Sequence, residues 1–172
     1  MFKRILILIF SFLFYISSAA SNDLKIVYVD IDKIINLSKV GKQVTKQLED
    51  LNKNNIKKYK KIENELADEE KNLIKKKNIL SKEEFEKKII TLQKNIRVFK
   101  KNINNSRKDL DKKRIEATNK ILDILNPILA EYSSKNSISL MIQKKNIVMG
   151  KSELEITDQI LKLLNAKVKT IK

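Results

Sequence analysis

Ser81-Lys82-Glu83-Glu84-Phe85 opens the stretch that decides the fold. From Phe85 onward Phe85, Ile89, Leu92, Ile96, Phe99, Ile103, Ser106, Leu110, Lys113 and Ala117 follow one another by four, three, four, three. That spacing keeps one side of a helix against a partner. The first four residues form a capping box: the Ser81 hydroxyl can accept from the Glu84 amide while the Glu84 carboxylate reaches back to the Ser81 amide. A helix therefore starts at Ser81, inside a charged run that is itself helical in pattern, so the chain must turn there. The segment before it carries a looser stripe: Val44, Leu48, Leu51, Asn55, Tyr59, Ile62, Leu66, Glu69, Leu73 and Leu80. Asn55 and Glu69 stand where apolar residues belong, so this helix is less tightly specified than its partner. The two make an antiparallel hairpin with its tip near 78–82. From Val40 to Lys77 alone the helix would reach about 57 Å at 1.5 Å per residue.

Outward from the hairpin lies a small body. Lys25-Ile26-Val27-Tyr28-Val29-Asp30 is β-branched and aromatic, apolar on both faces, and predicts a strand covered on both sides. Asp30 and Asp32 suit the cap of a following helix. Ile34, Ile35, Leu37 and Val40 suggest that helix is short, with Gly41 marking its boundary. Beyond Ala117 the apolar face of the returning helix broadens through Ile121, Leu122, Ile124, Leu125, Ile128 and Leu129, as packing into a body requires. Pro127 inside that run removes a hydrogen bond and predicts a kink where arm meets body. Asn136 closes the helix. Ile138, Leu140 and Ile142 alternate as a strand, Gln143 to Asn146 turn, and Ile147-Val148-Met149 form a return strand ended by Gly150. A last helix starts at Thr157, whose hydroxyl should cap it. The fold class is thus α+β, mostly α. Three strands make too small a sheet to stand alone with apolar residues on both faces, and oligomerisation through the sheet is the natural remedy.

The chain has 172 residues, enough for one domain. Its start is not part of that domain. Lys3 and Arg4 precede an apolar run from Ile5 to Ile16, and Ser18-Ala19-Ala20 offers small residues for signal peptidase, so residues 1–20 are expected to be a cleaved leader. The run is too short for a comfortable span of roughly 20 residues, although an uncleaved anchor is the alternative. Residues 21–172 then form a single domain, with a body of 21–40 and 120–172 and an arm of 41–119. Cysteine, histidine and tryptophan are all absent, which removes the thiol nucleophile, the commonest metal ligand and the commonest general base. There is no Gly-rich phosphate loop and no metal-ligand spacing. Asp68, Glu69 and Glu70 are adjacent but belong to a solvated helix. Enzymatic activity and a cofactor are not expected.

Charge is the remaining signal. The net is +16, or +14 without Lys3 and Arg4. Between Lys53 and Arg114 there are 21 basic and 10 acidic residues, so most of the excess lies on the arm. Lys57, Lys61, Lys75, Lys76, Lys87, Lys88, Arg97 and Lys101 are the candidate residues for attracting an acidic client or an anionic lipid surface. The plain alternative is a solvated helix in a protein whose Lys, Asn and Ile reflect an AT-rich genome. Export and the scarcity of Arg argue against nucleic acid as the ligand.

These pieces resemble the Skp/OmpH family of periplasmic chaperones over essentially the whole mature chain. The resemblance rests on Ile26-Val27-Tyr28-Val29-Asp30, the charged hairpin, Ile121-Leu122-Asp123-Ile124-Leu125, and Glu155-Ile156-Thr157-Asp158-Gln159-Ile160-Leu161 with Leu164-Asn165. The last stretch looks like the family's Asp-Ile-Thr signature with Glu155 in place of Asp. The resemblance implies a homotrimer: three small sheets join into a β-barrel body, and three hairpins hang from it around a cavity. It implies that unfolded outer-membrane proteins are held there across the periplasm without nucleotide. Ile26, Tyr28, Val29, Leu140, Ile142 and Val148 are then expected in the trimer and body core. Lipopolysaccharide is a further surface the basic arms could meet. Imperfect seam positions at Asn55, Glu69, Ser106 and Lys113 would let the arms splay to suit cargo. The competing expectation is an envelope coiled-coil adaptor or structural protein that is no chaperone.

Overall fold

The computed structural model describes residues 24–170; the expected leader lies outside the described residues. Strand β1 (Ile26–Val29) pairs in parallel with β2 (Leu140–Gln143), in the register Ile26 with Leu140 and Tyr28 with Ile142. Parallel neighbours cannot be joined by a tight turn and need a crossover. Here the crossover is the entire arm. Asp30 caps helix α1 (Ile31–Leu37) by accepting the Lys33 amide at 2.8 Å. Helix α2 (Lys39–Lys75) runs out to the tip, and α3 (Lys82–Lys135) runs back. Two 3₁₀ turns, Lys144–Asn146 and Ser152–Leu154, lead to α4 (Thr157–Lys167).

The tip is built as its chemistry dictates. The Ile79 and Leu80 amides both donate to the Lys76 carbonyl at 3.0 Å, and both halves of the Ser81–Glu84 capping box are present. The seam is equally legible. Of the twenty stripe positions only Glu69 and Lys113 are exposed, and every other residue between 45 and 116 faces solvent. Most seam residues are nevertheless only half-buried, because two helices cover one stripe and nothing more. Leu73 and Leu92 alone between 45 and 116 are buried.

The core lies at the other end of α3. Ile121, Leu125 and Ile128 meet Val27 and Val29 of β1, Ile34 and Val40 of the entry helices, Ile138, Ile156, and Ile160 and Leu164 of α4. Helix α3 passes through Pro127 without interruption. Pro127 and Asp123 are on the exposed side, where the carbonyl left without its usual donor can be hydrated.

Three expectations need correction. The boundary between the first two helices is Ser38, not Gly41. Ser38 is extended and fully buried; its amide donates to the Ile34 carbonyl and its Oγ accepts the Gly41 amide at 3.0 Å. Gly41 sits inside the first turn of α2. Ile147-Val148-Met149 is not a strand. After the 3₁₀ turn the chain leaves the sheet edge, and Val148 and Met149 are 104% and 91% exposed. The other side of β1 is instead bridged by Glu155, with the Ile156 amide donating to the Tyr28 carbonyl at 3.0 Å. The sheet within the protomer is therefore two strands and one bridge, not three strands. Finally, the Thr157 hydroxyl does not cap α4 and is used elsewhere.

Candidate interaction surfaces

Thr157 is fully buried at the junction of three elements. Its Oγ accepts the Asp30 amide at 2.9 Å and donates to Glu155 Oε1 at 2.9 Å. Lys144 Nζ holds the same carboxylate at 2.8 and 3.0 Å. The 3₁₀ turn after β2, the bridge beside β1 and the starts of α1 and α4 are thus tied at one point. Spacing alone did not signal this: Ile156 between them has ψ 11 and leads straight into α4, so the turn into the helix, not strand alternation, brings the two side chains together. The hydrogen bond from Lys144, then that from Thr157, hold the Glu155 carboxyl below its ordinary value of 4.5, against a smaller opposing effect of burial. The same bond raises Lys144 above 10.5. An acid lowered in the folded state stabilises fully above its ordinary value, and that contribution disappears as pH falls through the lowered one. The raised lysine contributes below 10.5 and is lost as pH rises through its folded value. Glu155→Gln should therefore flatten the fall in melting temperature below pH 4.5 and leave the neutral region nearly level. An acid limb as steep as that of the parent chain would mean other carboxylates carry it. Thr157→Val should cost about 1–3 kcal/mol by orphaning the Asp30 amide, measurable by denaturant titration.

One face of the sheet carries most of the residues expected in a shared body. Ile26 pairs with Leu140 and Tyr28 with Ile142, on the side away from Val27 and Val29. Val29 is in the protomer core; Tyr28 is buried but outside that cluster; Ile142 is half-buried; Ile26 and Leu140 are exposed. Val148, on the segment that passes Tyr28 through Gly150, is fully exposed within the protomer.

All eight candidate cationic residues are exposed on the arm, but at different heights. Tyr59 and Phe99 meet edge to face at 6.2 Å, and Tyr59 donates to the Asn102 carbonyl at 3.1 Å. This fixes the register of the hairpin and sets residues 51–62 of α2 beside 97–108 of α3. That pair of segments holds ten basic residues and no acidic one. Lys57, Lys61, Arg97 and Lys101 belong to this band. The distal part, 63–96, holds eight of each sign and is neutral. Lys75, Lys76, Lys87 and Lys88 fall there, among Glu70, Glu83, Glu84 and Glu86. Lys60 and Lys61 reach out of the band to Glu63 and Glu65 at 2.8 and 3.8 Å. Such exposed pairs contribute little to stability.

Grooves flank the seam. One of about 540 Å³ lies at the base of the arm between Ile35, Val44, Leu48 and Leu110, with Glu49, Asp111, Arg107 and Arg114 on its walls. Among the described residues no group of three or more acidic, His or Cys side chains could hold a metal, and no helix is long and apolar enough to cross a membrane.

A two-helix arm inserted as the crossover between parallel strands, banded with positive charge, defines a long-armed α+β protein. The OmpH-like outer membrane protein family matches residues 25–164, and the chain belongs to that family. A crystal structure from Caulobacter crescentus CB15, described as an OmpH-like outer membrane chaperone, shares the fold with a TM-score of 0.80 at 19% identity, over 86% of this chain and 87% of that one. No curated protein matches the chain.

Proposed function

We propose that this protein is an ATP-independent holdase of the periplasm, which keeps unfolded outer-membrane β-barrel proteins soluble between its arms. The observation that carries this is the arm itself. It is long and basic, and only two of its residues from 45 to 116 are buried, so nearly all of it is available as surface. Membership of the OmpH-like family and the fold shared with the Caulobacter structure support the reading. Catalysis and nucleotide play no part in it. The exposed apolar side chains of Ile26, Leu140, Val148 and Met149 support a homotrimer whose sheets close into one barrel, placing three arms around a cavity.

The mechanism follows from the charges. Precursors with acidic stretches are drawn in at long range, then held by many weak contacts that impose no structure. The test dilutes a urea-unfolded outer-membrane barrel into buffer and follows light scattering, with a mass measurement on the chaperone alone. Scattering should be suppressed by a trimer. Capture should weaken as salt rises from about 50 mM to about 500 mM, because screening shortens the reach of the field to a few ångströms. A monomer that leaves aggregation unchanged would sink the proposal. Capture indifferent to salt would remove its electrostatic half.

A further inference from the structure

The positive charge of the arm is not spread along it. It is concentrated between residues 51–62 and 97–108, where the two helices lie side by side and carry no carboxylate at all. The same level holds two polar breaks in the seam. Asn55 and Ser106 take seam positions, and Tyr59 spans the gap to α3 with its ring against Phe99 and its hydroxyl on the Asn102 carbonyl. Beside the seam this leaves a groove of about 250 Å³. Ile56, Tyr59, Phe99 and Ile103 line it, and Arg107 stands over one end. At the other end Glu63 is held by Lys60 at 2.8 Å. Ile56 is 59% exposed although it lies among lysines. Among the described residues Lys53, Lys57, Lys58, Lys100, Lys101, Arg107 and Lys108 make no salt bridge, so their field is not cancelled locally.

We infer that this mid-arm groove is the seat for a stretch of unfolded polypeptide that alternates aromatic or aliphatic side chains with carboxylates. The inference rests on the holdase reading and deepens it, by naming both the place of capture and the chemistry captured. Apolar side chains enter the groove against Ile56, Phe99 and Ile103, and carboxylates between them meet Arg107 at its rim, within the positive field of the surrounding band. The period of an extended chain suits this, since alternate side chains point to opposite sides. A cationic segment is repelled at this level whatever its apolar content. The neutral distal part offers the same apolar residues without the field. The tip therefore contributes reach and not affinity.

The test uses the full mature chain and two labelled peptides of equal length, in which Phe and Val alternate either with Glu or with Lys. Anisotropy titration at about 50 mM salt should show the Glu peptide binding at least about tenfold more tightly than its Lys twin. Ile56→Ser should weaken the Glu peptide severalfold. Lys57→Glu with Arg107→Glu should weaken it by about tenfold or more. Lys75→Glu with Lys76→Glu and Lys77→Glu removes more net charge, yet should cost less than about twofold, because it lies outside the band. All these positions are exposed, and unchanged helical circular dichroism and melting temperature establish that the variants fold. Equal binding of the two peptides would overturn the inference, as would a tip variant that loses as much as the band variant. The aggregation assay separates the two levels. If the parent chain suppresses aggregation and the band variant binds the Glu peptide undiminished, the groove is wrong and the holdase reading stands. If the peptide pattern appears but aggregation is not suppressed, the groove stands and the holdase reading falls.

Discussion

Gly41→Ala is expected to lower stability by about 3 kcal/mol or more, the upper range for forcing extra volume into packed structure. A Cβ at position 41 would lie 1.6 Å from the Ile35 carbonyl oxygen and 2.9 Å from both the Ile35 carbonyl carbon and Ser38 Oγ. Two of those atoms are backbone and cannot swing away. Relief requires α2 to retreat from the end of α1. That movement would break the Ser38 Oγ bond to the Gly41 amide and disturb Ile34 and Val40, which are fully buried on either side of the break. In a chain of this length the cost corresponds to a fall in melting temperature of roughly 6–12 °C. Protein concentration must be held fixed, because assembly shifts the apparent melting point. Gly150→Ala is the internal comparison. Its Cβ would meet the edge of the Tyr28 ring at 3.0 Å and Ile147 Cγ2 at an ordinary 3.6 Å, all side-chain atoms, and a ring can give by a few tenths of an ångström, so a loss of under about 1 kcal/mol is expected. Equal melting temperatures for the two variants would show that the close approach of position 41 to the Ile35 carbonyl is not there.

The contrast between those glycines also shows what the sequence could disclose. Gly41 was visible as a punctuation mark, but the break itself is Ser38, where a serine followed three residues later by glycine reads as one more polar residue in a helical run. Local chemistry was legible. The capping box at Ser81 and Glu84 needs only neighbours in sequence, and the Asp30 cap is of the same kind. Periodicity was legible too, because packing two helices buries one stripe and leaves no second solution. What stayed hidden depends on partners far away in the chain. Ile147-Val148-Met149 has the composition of a strand, yet a strand exists only where another offers its hydrogen bonds. Within the protomer the side of β1 away from β2 is met at Glu155 instead. Thr157 has the look of a cap, but the amide that its hydroxyl satisfies is that of Asp30, brought there by the fold. The basic residues of the band could be counted from the start. Their concentration became visible only when Tyr59 and Phe99 set the register that lays one acid-free segment against the other.

Leu125→Ala is expected to cost about 2–5 kcal/mol, the range for removing a buried leucine where the surroundings cannot collapse. Leu125 is fully buried in the cluster formed with Ile121, Ile128, Ile160, Leu164 and Val29. Those neighbours come from α3, α4 and β1, so the cavity is walled on several sides. Leu92→Ala removes the same atoms from an arm only two helices thick, where solvent and neighbouring side chains can close on the gap, and about 2 kcal/mol or less is expected. The decisive difference is where the effect appears. Helix α3 belongs both to the seam and to the core, so loosening its base releases the anchorage of the whole hairpin. Loosening the distal seam releases only the hairpin's end. Native-state amide exchange should therefore show Leu125→Ala losing protection in β1, in β2, in the lower part of α3 and along the arm, while Leu92→Ala loses it in the arm alone. Protection in the strands that survives Leu125→Ala would mean that the arm and body fold as separate units. Protection there that falls equally with Leu92→Ala would mean that the seam, and not the core at its base, holds the protein together. With the predicted pattern, the arm can open and close against cargo at a free-energy scale below that of unfolding the body, and an arm that yields while its base holds fits a surface that must accept unlike segments of unfolded chain.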